Sequence, residues 1–372
     1  MIRVAPGAYV QAQRAMDPAV YVDPTVFEAE VGSLLSRTWQ YAGHATQLDS
    51  TGDFITHEVG GESLFTVRDQ DGRVRTFYNV CMHRGHQLLQ GSGRRRQIVC
   101  PYHAWSYRLD GRLRMAPHAE GRDGFDAAEI CLTEVRTEEF CGFYFVNLDP
   151  DAPGMDELFP GIRSAIVEFL PTIGDMAPIE RREFVAECNW KVAVENYNEC
   201  YHCKTAHKSF SKGVVLPASY TIRPIGRCLN HSAETSPQQY YEIDHEASPN
   251  AARYSSFFLW PLFSLQVYPG PIVNTFVWRP RSVNRTPFFR EWFTPGGTDS
   301  PVVRQVADED ARTTVAEDLD LVRSVQRGVA SRGYRPGPLI IDPGMGLNSE
   351  HSVAALKAWY REEMERGPSP SK

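Results

Sequence analysis

The stretches Cys81-Met82-His83-Arg84-Gly85-His86 and Cys100-Pro101-Tyr102-His103 decide how this chain is read. Each joins one thiol to one imidazole: Cys81 to His83, and Cys100 to His103. Sixteen residues, Arg84 to Val99, separate the two pairs. Thiolate and imidazole are the ligands that soft and borderline metals take. Two Cys on one iron and two His on the other hold a [2Fe–2S] centre of raised potential. Each loop offers one ligand of each kind, as that arrangement needs. Three other readings stand beside it. A Cys₂His₂ zinc site uses the same residue types, but its loops usually pair Cys with Cys and His with His. The four residues also fit a redox thiol pair, or unrelated buried side chains.

Outward from these loops the sequence reads as short strands. SLFTVRDQDGRVRTFYNV (63–80) turns at Asp71–Gly72, and AWSYRL (104–109) runs into a turn at Asp110–Gly111. CGFYFVNLDP (141–150) is strand-like, and DAPGMDELFPG (151–161) reads as a linker. In front, PTVFEAEVGSLLSRTWQ (24–40) has helical spacing, with Phe27, Val31, Leu34 and Leu35 on one face. Downstream, GIRSAIVEFLPTI (161–173) and NWKVAVENYNECYH (189–202) read as helices. SSFFLWPLFSLQVYPGPIVNTFVWRP (255–280) reads as two β-rich runs joined at Pro269–Gly270. ADEDARTTVAEDLDLVRSVQRGVASRG (307–333) is a long amphipathic helix, or two, and GPSPSK (367–372) a frayed tail. The plan is α+β. A helical segment at 1–39 packs on the second domain, an all-β domain fills 40–155, and a mixed domain fills 156–372.

Composition narrows the function. The chain has 372 residues, 42% apolar and 23% charged, enough for about two folded domains. Its net charge of −7 and the lack of a basic, aromatic-laced stripe argue against nucleic acid. The run Arg94–Arg95–Arg96 follows Gly91–Ser92–Gly93 and reads as a solvated turn. MIRVAPGAYVQAQRAM (1–16) lacks the apolar core of a signal peptide, and no apolar run approaches the ~20 residues of a membrane span. The expectation is a soluble, cytoplasmic protein. Eight cysteines in this length do not resemble a secreted disulfide scaffold.

NWKVAVENYNECYHCKTAH (189–207) holds Glu195, Glu199, His202 and His207. At 100° per residue the first three share a helical face, and His207 falls off it, so the helix must end or distort first. Two His and one carboxylate, with positions left open, form the ligand set of non-haem Fe(II) oxygenases. The downstream helix supplies the carboxylate. Val315, Leu319, Val322, Val325 and Val329 mark its apolar stripe, and Asp318 projects within it. A carboxylate there is costly unless it is paired or bound to metal. Local capping or ion pairing is the competing role for Asp318. Glu195 reads equally as a structural partner or as a carboxylate orienting a ligand His. Cys200 and Cys203 read as buried packing.

The two motifs together resemble those of Rieske oxygenase large (alpha) subunits, and the likeness runs over nearly the whole chain. The β-rich stretch from about 40 to 150 resembles the Rieske iron–sulfur domain, although the residue after the second His, often Gly in that family, is Ala104. The resemblance implies a C-terminal helix-grip (Bet v 1-like) catalytic domain, a curved antiparallel sheet on a long helix. It implies one Rieske [2Fe–2S] cluster and one mononuclear Fe(II) per subunit, with O₂ as cosubstrate, and a homotrimer. It also implies electron transfer between subunits, from His103 of one, through the carboxylate three before the first His, to His202 of its neighbour. Most of the family has Asp at that bridge; here it is Glu199, one methylene longer.

ENYNECYHC (195–203), SFFLWPLFSLQVYPG (256–270) and GYRPGPLIID (333–342) resemble one branch of the family. That branch attacks quaternary ammonium compounds such as carnitine, γ-butyrobetaine, glycine betaine, choline and proline betaine, next to the nitrogen, with C–N cleavage. Such a cation has no donor hydrogens, so aromatic rings are the natural way to hold it. Tyr197, Tyr201, Trp260 and Phe263 are the first candidates, with Phe257, Phe258 and Tyr268 also nearby in sequence. Core packing is the ordinary alternative for all of them. Hydroxylation of an aromatic acid is the second substrate reading. A Rieske electron carrier without oxygenase activity is the alternative of another class, and a zinc hydrolase a third. The chain has no GxGxxG between strand and helix and no second cysteine set, so its electrons should come from a separate flavin and iron–sulfur NAD(P)H reductase.

Overall fold

The computed structural model describes residues 13–119, 121–246 and 250–367. Residues 1–12 and 368–372, with part of the expected N-terminal segment and most of the expected tail, lie outside them. The described chain divides into two compact units, residues 31–158 and residues 13–30 with 159–367.

The first unit is β-rich. Its strands are β1 (Gln40–His44), β2 (Asp53–Val59), β3 (Glu62–Arg68), β4 (Val74–Tyr78), β5 (Ser92–Arg94), β6 (Ile98–Val99), β7 (Ser106–Tyr107), β8 (Leu113–Met115), β9 (Glu134–Phe140) and β10 (Phe143–Asn147). One seven-stranded sheet runs β1-β10-β9-β4-β3-β2-β5, and β6-β7-β8 form a second, three-stranded sheet. The β3–β4 hairpin turns at Gly72, whose φ of 78° suits a residue without a Cβ. Phe54, Phe65, Phe77, Ile98 and Tyr107 fill a core that also encloses Cys81 and Cys100. The sequence thus drives two thiols inward from loops that follow β4 and β6.

The second unit is built on a seven-stranded antiparallel sheet: β11 (Met176–Ala186), β12 (Thr221–Ile225), β13 (Cys228–Glu234), β14 (Arg253–Leu259), β15 (Phe263–Tyr268), β16 (Ile272–Trp278) and β17 (Thr286–Pro295). Its order is β11-β17-β16-β15-β14-β13-β12. The stretch expected to hold two β-rich runs holds three strands. An extra turn at Trp260-Pro261-Leu262 separates β14 from β15, and Pro261 brings no N–H to a ladder there. Helices Pro301–Asp310 and Ala316–Val329 are continuous through a π-helical turn, Ala311–Val315. Val315 at the end of that turn and Val322 and Val329 on the second helix are buried, while Val325, at the edge of the expected stripe, is 47% exposed.

The helix expected over 189–202 is shorter. Asn189 caps it by accepting from the Lys191 amide, and the helix proper covers Trp190–Tyr197. It stops at the buried Asn198, whose side-chain amide donates to the Val194 carbonyl while its backbone N–H closes on Val194 and Glu195. That local bond competes with helix propagation. A second short helix, Cys203–Ala206, begins after it. Glu199 and His202 therefore sit on the break between helices, not on the face of one. A buried ion pair fixes the first helix. Glu30 accepts from Lys191 Nζ at 2.5 Å, from Trp190 Nε1 at 2.8 Å and from Tyr360 at 2.8 Å. Two charges so far from water persist only because each is paired and hydrogen-bonded.

Candidate functional site

The two mixed loops of the first unit bring their residues together. Cys81 and Cys100 are buried, while His83 and His103 stand exposed with ring centroids 4.7 Å apart. His83 stacks on Trp105 at 4.6 Å and His103 on Tyr102 at 3.7 Å. The Met82 amide donates to the Tyr107 oxygen at 3.0 Å, which leaves the Tyr107 O–H to point at Cys81 Sγ, 3.2 Å away. Ala104 takes a φ of 59°, a left-handed conformation that costs a residue with a Cβ about 1 kcal/mol. Buried thiols behind a surface pair of imidazoles are a donor set that fits a two-iron cluster with one histidine-bound edge.

In the second unit the break between helices turns His202 toward His207. Their Nε2 atoms lie 2.9 Å apart. Asp318 Oδ1 lies 3.0 Å from His207 Nε2 and 3.5 Å from His202 Nε2. It is buried and makes no hydrogen bond of good geometry to either. The outward nitrogens are held by carboxylates: His202 Nδ1 meets Glu199 at 2.5 Å, and His207 Nδ1 meets Glu317 at 2.9 Å. Burial pulls the His202 pKa down, but Asp318 and Glu199 override it and raise it to about 10. His207 is raised in the same way by Asp318 and Glu317. Burial pushes the Asp318 carboxyl up, yet the two imidazoles hold it below its usual range. Three ligand atoms converge on one point with their rings oriented from behind. A bare Asp318 oxygen aimed between two Nε2 atoms is what a divalent ion would satisfy.

A cavity opens beside the triad. Tyr197, Phe210, Tyr220, Tyr254, Tyr268 and Phe276 supply its aromatic wall, and Gln266 and Asp310 its polar end. The Tyr197 hydroxyl is fixed by Ser256 at 2.7 Å and Ser264 at 2.6 Å.

Comparison with known proteins settles what these sites belong to. Residues 38–132 match the Rieske [2Fe-2S] domain, and residues 173–366 match the ring hydroxylating alpha subunit catalytic domain. The chain belongs to the Rieske oxygenase family. This Rieske oxygenase is 33% identical over 344 residues to the carnitine monooxygenase oxygenase subunit of Escherichia coli (strain K12), covering 90% of this chain and 89% of that one. It is 28% identical to the chloroplastic choline monooxygenase of Amaranthus tricolor, over 89% of this chain and 75% of that one. A crystal structure of a quaternary ammonium Rieske monooxygenase in complex with L-carnitine superposes with a TM-score of 0.84, at 28% identity, over 95% of this chain and 96% of the other. Naphthalene 1,2-dioxygenase, at 18% identity and a TM-score of 0.78 over 94% of this chain and 92% of that one, shares the fold. The chain is thus an oxidoreductase, the terminal oxygenase component related to quaternary ammonium monooxygenases. No helix among its described residues is long and apolar enough to cross a membrane.

Within this Rieske oxygenase the residues singled out by sequence fall in several places. Glu199, His202, His207 and Asp318 are brought together. Glu195 is not with them: both its oxygens accept from the Tyr21 hydroxyl, at 2.8 and 2.9 Å. The carboxylate behind His207 is Glu317, the residue just before Asp318. Of the four first-choice aromatics only Tyr197 lines the cavity. Tyr201 is 50% exposed. Trp260 packs against Trp190 and Trp359, at 5.8 and 5.9 Å. Phe263 lies on the far face of β15, because side chains alternate and Ser264, Gln266 and Tyr268 take the near one. Tyr220, Tyr254, Phe210 and Phe276 are the wall residues sequence reasoning missed. Cys200 and Cys203, read as separate packing thiols, form a disulfide across a Cα separation of 4.9 Å, within bridging range.

Proposed function

We propose that this Rieske oxygenase monooxygenates a carbon next to the nitrogen of a quaternary ammonium compound, using electrons from a separate NAD(P)H reductase. The observation that carries the reading is the cavity: six aromatic side chains line it, directly beside the His202–His207–Asp318 triad. Aromatic faces attract a cation that has no hydrogens to donate. The similarity to carnitine and choline monooxygenases supports the same class. The balance is one C–H bond, O₂, two electrons and two protons giving C–OH and water. The hydroxylated carbon then releases its C–N bond, leaving an aldehyde, a tertiary amine and a proton.

In this reading Cys81 and Cys100 hold one iron of the cluster, and His83 and His103 the other. His202, His207 and Asp318 hold the mononuclear iron. Together the two centres supply oxygen activation and stored electrons when bound. The chain's own work is positioning. With iron bound, Glu199 and Glu317 would take the Nδ1 protons of His202 and His207 and leave each Nε2 for the metal. Ser256 and Ser264 fix the Tyr197 ring edge-on to Trp278, at 71°. The aromatic wall excludes water from the substrate's nitrogen. Glu199 bridges the two centres across a subunit boundary in a homotrimer, from His103 of one chain to His202 of the next. We place the reaction in the cytoplasm, where NAD(P)H reductases work.

The test is a single turnover. Iron-replete protein is reduced chemically, exposed to oxygen with carnitine, γ-butyrobetaine, glycine betaine, choline or proline betaine, and analysed by mass spectrometry. Benzoate and salicylate serve as rivals. An oxidised or dealkylated product from a quaternary amine is expected. Product from an aromatic acid alone would replace the substrate reading with ring hydroxylation.

A further inference from the structure

The polar end of the cavity carries information on the substrate's other end. Arg290 and Asp310 are 1% and 4% exposed and form an ion pair through Nη1 and Oδ2. Arg290 Nη2 donates to Gln266 at 2.6 Å and to Asn274 at 2.5 Å. Its guanidinium carbon sits 4.2 Å from the Phe276 ring centre and 4.8 Å from that of Trp292. Both of its terminal nitrogens are thus engaged, and its flat face is covered. Asp310 lines the cavity; Arg290 does not. The acid of this pair therefore faces the substrate, and the base stands behind it.

The other lining groups point the same way. Of the acids in the wall, Glu199 and Asp318 are committed to His202 and His207, Asp310 stands at the other end, and neither Lys nor Arg is among the lining residues. His231 has both nitrogens occupied. Asn198 gives its amide to Val194, so its oxygen accepts from His231 Nε2 at 3.2 Å. His231 Nδ1 then accepts from the Tyr220 hydroxyl at 2.8 Å. At the far end, Tyr268 donates to Asp310 Oδ1 at 3.1 Å. Tyr254 accepts from Gln266 Nε2 at 3.1 Å and shares a hydrogen bond with Tyr220. A neutral hydroxyl finds acceptors there. A carboxylate would find no free cation there, because Arg290 is already committed to Asp310, Gln266 and Asn274.

We infer that the substrate is a quaternary amine whose second functional group is neutral, an amino alcohol or an alkylammonium, and not one that carries a carboxylate. This rests on the quaternary-ammonium reading above and selects within it. It separates this chain's preference from the carboxylate-bearing substrate of the carnitine monooxygenase it resembles.

Two matched pairs test it, each differing only in CH₂OH against COO⁻: choline with glycine betaine, and 4-hydroxybutyl-trimethylammonium with γ-butyrobetaine. The single-turnover assay on the holoenzyme is expected to give at least about tenfold more product from the alcohol of each pair. Equal or greater product from either carboxylate overturns the inference while keeping the quaternary-ammonium reading. Product from benzoate or salicylate alone overturns that reading itself. Asp310→Asn supplies a second arm. Removing the acid that faces the cavity unmasks Arg290, so the carboxylate-to-alcohol product ratio should rise about tenfold. A ratio that stays at the wild-type value in folded, three-iron Asp310→Asn protein would mean that the pair does not set the preference.

Discussion

Tyr107 sets one hydroxyl against a proposed cluster ligand. Its oxygen is already occupied as an acceptor by the Met82 amide, so its hydrogen points at Cys81 Sγ. A hydrogen bond to a ligand sulfur stabilises the reduced, more negative cluster. A bond worth about 1 kcal/mol corresponds to roughly 40 mV for one electron. Tyr107→Phe should therefore lower the cluster potential by about that amount with the brown spectrum intact, as a potentiometric titration would read. Glu317 does a related task at the second site. It meets His207 Nδ1 at 2.9 Å and so orients the ring with Nε2 toward Asp318. Loss of such a carboxylate typically weakens metal binding about 10–100-fold. Glu317→Ala should release ferrous iron at correspondingly lower chelator concentration while the cluster absorbance stays unchanged. Iron retention at the wild-type level would make Glu317 a bystander.

Helix Trp190–Tyr197 links this chemistry to stability. Glu195 lies on it, with Tyr21 on both its oxygens. Burial raises its pKa to about 7, and Tyr21, Lys191 and Lys357 only partly oppose that. The unfolded chain releases this proton near the ordinary value of 4.5. Between the two values the folded state holds a proton that the unfolded state has lost, so stability falls as pH rises from about 4.5 to about 7. The effect is on the order of 1–3 kcal/mol over that window. Denaturant unfolding of Glu195→Gln should show a flatter profile there than wild type. The same helix shows where sequence reading reaches and where it stops. His202 and His207 sit five residues apart, and Asp318 interrupts an apolar stripe; both signals are local and survive without coordinates. The early stop at Asn198 was hidden, because a side chain taking the Val194 carbonyl outweighs helical periodicity. The cavity wall was hidden more deeply. Whether Tyr254 or Phe257 faces the triad depends on one residue of strand phase, and pairing between β13, β14 and β15 sets that phase. The usable signal was polar: Gln266, in the apolar run SLQVY, marks the near face of β15.

At the scale of the whole molecule the open issue is how electrons stored in one unit reach the other. The proposed route crosses a subunit boundary at Glu199, and mixed oligomers can tell that apart from a route within one chain. A chain with His103→Ala should lack a working cluster, and a chain with Asp318→Ala should lack the mononuclear iron. Neither should turn over alone. When the two are co-expressed, the intact cluster of the second can sit beside the intact triad of the first. In a ring with head-to-tail contacts and random mixing, about one quarter of interfaces have that arrangement. Activity should then recover to about a quarter of wild type in the randomly mixed oligomers, and Glu199→Ala on the His103→Ala chain should abolish the recovery with its iron still bound. That last variant matters because it separates bridge from scaffold. Glu199 also orients His202, so iron content must be measured alongside turnover. Recovery that persists without Glu199 would move the bridge to another residue. No recovery, in oligomers proven to contain both chains, would place electron transfer within a single subunit.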